Sequence, residues 1–172
     1  KFFLSLRLVK MSPLLLLPIT VLLLTASPAN TAKPTTVTIG ALFPFYPHPS
    51  RPSEHGMRNF DAFRMAVKSI NADRSVLPTT QLHYAVRDSR SAPNVAFTAT
   101  QDLVANSKVD VILVGQEDVF AAHDAAPDVA LVGHTSTSPT LSDKTIYPNF
   151  VRTGISDHLI ARNIAAFVRS EA

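Results

Sequence analysis

The sequence predicts an α/β fold, a parallel sheet with helices on both faces, and three observations predict it. Short, nearly continuous apolar runs such as Val37–Phe43 and Val109–Val114 have the composition of strands buried on both sides. Between them lie stretches with apolar residues spaced by three and four, as at Met57, Phe60, Phe63, Ala66, Val67 and Ile70, the signature of a helix with one inward face. Prolines and turn formers punctuate the alternation. Strands alternating with helices at this spacing imply βαβ units and hence a parallel sheet.

The bulk numbers bound what such a fold can do. The chain has 172 residues, 46% hydrophobic and 17% charged, with a formal charge of +3. That supports one domain of ordinary size with a real core and argues against disorder. The basic residues are scattered, so nucleic acid is not an expected partner. The absence of cysteine excludes thiol catalysis and cysteine-based metal sites. The six histidines are dispersed, and no metal or cofactor is expected.

Residues 1–32 are expected to be a signal peptide with upstream residues. Lys1, Arg7 and Lys10 precede an apolar run from Leu14 to Leu24, which Pro18 interrupts and which is short for a membrane span. Small residues at Ala26, Ser27 and Ala29 place cleavage between Ala26 and Ala32, and Met11 is a candidate start. An uncleaved anchor is the alternative.

The mature domain, residues 33–172, opens with the strand Val37–Phe43, which Pro44 ends. The proline-rich loop to Ser53 carries Tyr46, His48 and Arg51 just beyond a strand's carboxyl end, where open α/β sheets bind ligands. Ser53 and Glu54 start the first helix, and Asn71-Ala72-Asp73 end it. Leu82, Tyr84 and Val86 alternate with polar neighbours as a strand. Pro93 fits the first turn of a second helix, with Val95, Ala96, Ala99, Leu103 and Val104 inward. The strand Val109–Gly115 follows, then a short Ala-rich segment, Val119–Ala126, closed by Pro127. Asp128–Gly133 is a fourth strand and Asn149–Thr153 a fifth. Ser156 or Asp157 caps a last helix, with Leu159, Ile160, Ile164, Ala165, Phe167 and Val168 as its apolar face.

The candidate site lies at the exit of the fourth strand. Thr135, Ser136, Thr137 and Ser138 put four hydroxyls there, stopped by Pro139. Hydroxyls at a strand exit can hydrogen-bond a small polar ligand, or they can satisfy local backbone groups. Glu117 and Asp118, after the third strand, read as a solvated turn or a helix start, and as a site for positive charge. Asp143 and Lys144 read as a surface pair, and Tyr147 and Phe150 as packing residues.

Three blocks in order carry a resemblance. They are GMRNFDAFRMAVKSINADRSVLPTTQLHYAVRDS from Gly56, VDVILVG from Val109, and TSTSPTLSDKTIYPNFVRTGISD from Thr135. Together they resemble the N-terminal lobe of the receptor ligand-binding region, a type I periplasmic-binding-protein fold. The fold is shared by class C G-protein-coupled receptors, natriuretic peptide receptors, ionotropic glutamate receptor N-terminal domains and bacterial branched-chain amino acid binding proteins. The resemblance spans about Val37 to Val168. It implies a two-lobed clamshell closing on a small ligand, with this chain holding one lobe and the rest beyond Ala172. It places Thr135 and Thr137 at ligand positions, with Ser136 between them. Asp118 and Tyr46 are added as candidates at neighbouring strand ends. Relatives have a glycine followed by serines where this chain has Gly115-Gln116-Glu117-Asp118. The two acids would repel a carboxylate, so a cationic ligand, or none, fits this turn better.

The function expected is the extracellular ligand-sensing part of a membrane receptor, reached through the secretory pathway. The implied partners are a small molecule of amino-acid or amine type, a membrane through a further segment, and a second copy of the chain. A solute-binding protein for transport is the alternative. An enzyme is not expected, since neither a Gly-rich phosphate loop nor a nucleophile elbow is present.

Overall fold

The computed structural model describes residues 35–171. The segment expected to be a signal peptide, residues 1–32, lies outside them. Five strands form one sheet: β1 Thr36–Phe43, β2 Gln81–Asp88, β3 Val111–Val114, β4 Ala130–Gly133 and β5 Phe150–Arg152. All neighbours pair in parallel, in the order β2-β1-β3-β4-β5. Ile39 on β1 sits opposite Tyr84 on one side and Val111 on the other. The helices are α1 Glu54–Ala72, α2 Pro93–Ser107, α3 Val119–Ala125 and α4 Asp157–Ser170, with a 3₁₀ turn at Pro139–Ser142. Fold class and element order agree with the sequence reading. No described helix is long and apolar enough to cross a membrane.

Successive side chains on a strand point to opposite faces. Leu42 packs with Ala96, Leu103, Ile112, Val119, Ala122 and Leu131, an aliphatic core shared with α2 and α3. Phe43, one residue on, lies about 6 Å from the rings of Phe45, Phe60, Phe63 and His134. It therefore packs on the opposite face, against α1. The sheet thus lies between α1 on one side and α2 with α3 on the other.

Side chains tie the layers together. The Ser53 hydroxyl caps α1 by accepting from Gly56 N at 3.0 Å. Near the other end of α1, Asn71 imitates a strand. Its amide donates to Leu82 O and accepts from Leu82 N, both at 2.8 Å. Arg87 joins β2 to α2 through Asp102 at 2.6 Å.

Three local expectations are corrected. Asp118 is not a solvated turn residue; it is 1% exposed at the head of α3, and its side chain makes no capping bond. Asp143 and Lys144 do not pair. Asp143 accepts from Thr145, and Lys144 donates to Phe150 O. The apolar face foreseen for α4 exists, but no residue of that helix is buried. Leu159, Ile164, Phe167 and Val168 are exposed, because none of the described residues packs over them.

Candidate functional site

The order β2-β1-β3-β4-β5 reverses direction between β1 and β3. The crossovers leaving these two strands run to opposite faces, so the sheet opens at their carboxyl ends. A cleft of about 250 Å³ occupies that place. Its lining comes from three levels of the chain. Pro44 ends β1, and His55 and Asn59 stand one turn apart at the start of α1. Gly115, Gln116 and Glu117 follow β3, and His134 and Thr135 follow β4.

Gly56 lets α1 come this close. A Cβ built there would lie 2.2 Å from Pro44 O. Without a side chain, the first turn of α1 can rest on the end of β1, bringing His55 and Asn59 to the cleft. Asn59 Nδ2 lies 3.0 Å from His55 Nε2. Asp88 steadies the far side of the β1 exit, its Oδ1 accepting from Phe45 N at 2.9 Å and Arg90 N at 3.0 Å.

The loops after β3 and β4 are fastened by Gln116. Its backbone N donates to Thr135 Oγ1 at 3.2 Å, and its Oε1 accepts from Thr137 N at 2.7 Å. Arg152 on β5 holds the next stretch, donating to Ser136 O, to Ser138 O at 2.9 Å and to Ser142 Oγ. Thr137 also clasps the head of α4. Its hydroxyl donates to Asp157 Oδ2 at 3.1 Å, and its carbonyl accepts from Asp157 N at 2.9 Å.

The structure divides the residues expected from the sequence. Thr135 is exposed and lines the cleft. Thr137 lies beside it, but its hydroxyl is engaged with Asp157. Ser136 is buried, its hydroxyl against Gly133 and without a hydrogen-bond partner among the described residues. Asp118 is buried, and Glu117 is the acid that lines the cleft. Tyr46 is 45% exposed on the loop after β1 and is not part of the lining. Sequence reasoning did not single out His55, Asn59, Gln116 or His134 as site residues. A signal for two of them was present: His55 and Asn59 are four apart in the first turns of a helix that follows a strand exit.

Electrostatics sharpen the picture. Burial pushes the Asp118 carboxyl up from its ordinary range; the Ser89 hydroxyl opposes the shift, and Glu117 and Asp88 add to it. Neither Ser89 Oγ nor Asp118 Oδ1 completes a hydrogen bond among the described residues, so the two interact without full bonding geometry. Burial pulls His134 down from its ordinary value; Glu117 counteracts this and His55 reinforces it. His134 is therefore a neutral imidazole at pH 7.

Residues 58–170 match the family described as the receptor family ligand binding region. This chain belongs to that family. The ligand-binding region is 30% identical over 121 residues to γ-aminobutyric acid type B receptor subunit 1 of Mus musculus, covering 68% of this chain and 12% of that receptor. The Rattus norvegicus subunit matches to the same extent. Glutamate receptor 3.4 of Arabidopsis thaliana is 28% identical over 141 residues, 79% of this chain and 14% of the relative. The ligand-binding region here thus spans about an eighth of the length of these receptors.

Proposed function

We propose that this chain is one lobe of the extracellular ligand-sensing domain of a membrane receptor. In this reading a small polar molecule lodges in the cleft between the exits of β1, β3 and β4. The supporting observation is the cleft itself, a polar hollow at the sheet's switch point with Thr135 exposed beside it. Membership of the family and relatives named for γ-aminobutyric acid and glutamate support the same reading. A second lobe, a membrane segment, export through the secretory pathway and pairing of two copies belong to the proposal. Sensing would follow if a ligand bound the closed two-lobed state more tightly than the open one.

The test is a titration of the 172-residue chain, followed through its amide resonances, with γ-aminobutyrate, glutamate and small amines. Binding should move the amides of residues 115–118 and 134–137 and leave those of α2 in place. Thr135→Ala should weaken the effect about fivefold, as loss of one hydrogen bond implies. No movement with any compound, or movement untouched by Thr135→Ala, would remove this cleft from the function.

A further inference from the structure

Gly115 forms the floor of the cleft, and three polar side-chain atoms converge above it. A Cβ built on Gly115 would lie 3.0 Å from Glu117 Oε2, 3.7 Å from His134 Nε2 and 3.7 Å from Thr135 Oγ1. Each of the three can accept a hydrogen bond. Glu117 is an exposed carboxylate that makes no salt bridge with any described residue. Thr135 Oγ1 already accepts from Gln116 N, and a hydroxyl oxygen has a second lone pair. Neutral His134 presents an unprotonated ring nitrogen, which is Nε2 when the proton sits on Nδ1. No residue lining the cleft is Lys or Arg.

From this convergence we infer that the cleft takes the primary ammonium group of a small organic amine, seated above Gly115 between Glu117, Thr135 and His134. An ammonium carries three N–H donors and no acceptor, matching three acceptors around one point. A carboxylate placed there would meet the Glu117 charge with no cation to offset it. The inference rests on the proposed ligand-binding role of this cleft, and it assigns the positive charge that the acidic turn favours to one point and three named atoms. His55 and Asn59, on the wall formed by α1, would face the ligand's next polar atom.

Three compounds built on one three-carbon chain separate the possibilities. Propylamine carries only the amine, butyrate only the acid, and γ-aminobutyrate both. Each is titrated into the 172-residue chain and into Glu117→Gln, with amide shifts as the readout. Glu117 is exposed and makes no salt bridge with a described residue, so the substitution leaves the fold intact. Propylamine and γ-aminobutyrate should move residues 115–117 and 134–135, and butyrate should not. Glu117→Gln should weaken the amines about tenfold, the size expected for a charge-assisted hydrogen bond. Acidification from pH 7.5 towards 5 should also weaken the amines, because a proton on His134 removes its acceptor nitrogen and adds a like charge. A carboxylate anchored there would respond with the opposite sign. Butyrate moving these amides while propylamine does not, or equal amine affinity in Glu117→Gln, would overturn the ammonium assignment and leave the cleft as a binding site. Silence from all three compounds would overturn it as well. Silence from glutamate and the wider amine panel would then remove the cleft's binding role too.

Discussion

Asp118 is 1% exposed, and its Oδ1 finds no partner among the described residues. Its carboxyl is held above the ordinary range by burial, so ionising it costs more in the folded chain than in the unfolded one. The sign follows. At low pH both states are protonated and nothing is lost. As pH rises through the carboxyl's ordinary value, the unfolded chain releases its proton first, and stability falls. Asp118→Asn removes that loss. Its unfolding midpoint should lie about 3 °C above that of the parent at pH 7, corresponding to about 1 kcal/mol, and the difference should vanish below about pH 3. Calorimetry at the two pH values checks this; an equal gain at both would assign the effect to packing. The sequence placed an acid after β3 but could not tell which of two adjacent acids turns inward. That choice depends on how α3 seats its first turn, with Val119 and Ala122 in the core. His134 was equally hidden. A histidine after a strand carries no periodic signal, and its neutral state comes from surroundings assembled out of α1 and two loops.

At the scale of elements, α1 shows why a helix position cannot be judged by propensity alone. In an isolated helix, Gly56→Ala would stabilise by about 1 kcal/mol. Here the added methyl would meet the backbone of Pro44, with its carbonyl oxygen at 2.2 Å and carbonyl carbon at 2.8 Å. Backbone gives way less readily than a side chain, and overpacking of this kind costs about 1–3 kcal/mol. The variant should therefore lose about 1–2 kcal/mol net in urea unfolding. A gain instead would mean that the helix start can lift from β1 without loss. The boundaries of α1, its Ser53 cap and its apolar spacing were all readable in the sequence, because a 3.6-residue repeat writes them locally. Its role in the cleft was not readable. His55 and Asn59 look like ordinary surface residues until the sheet supplies the wall opposite. Asn71 is a similar case: it looked like a turn former, yet it hydrogen-bonds both backbone groups of Leu82.

For the molecule as a whole, stability resides in the sheet and the three helices that cover it. The aliphatic core lies on one face and the Phe43 ring group on the other. Helix α4 contributes no buried residue. A chain ending after Asp157 keeps the clasp with Thr137 and should unfold within about 2 °C of the full chain, as expected when little apolar area returns to water. Circular dichroism melts compare the two, and a drop of more than about 5 °C would show that α4 packs against the sheet. The strand–helix alternation made the architecture legible, and the amphipathic spacing of α4 was legible as well. Burial of that spacing was not, since periodicity marks an apolar face without naming what covers it. The Gln116 fastening has a consequence for kinetics. Two loops from different strands are joined by two hydrogen bonds of one residue, and Arg152 braces the stretch that follows. Their ordering is completed when the chain folds. A ligand arriving at the proposed site would meet a prepared surface, so little conformational entropy would be lost on contact. Its rate of capture would then be governed by diffusion and local charge rather than by waiting for a loop to form.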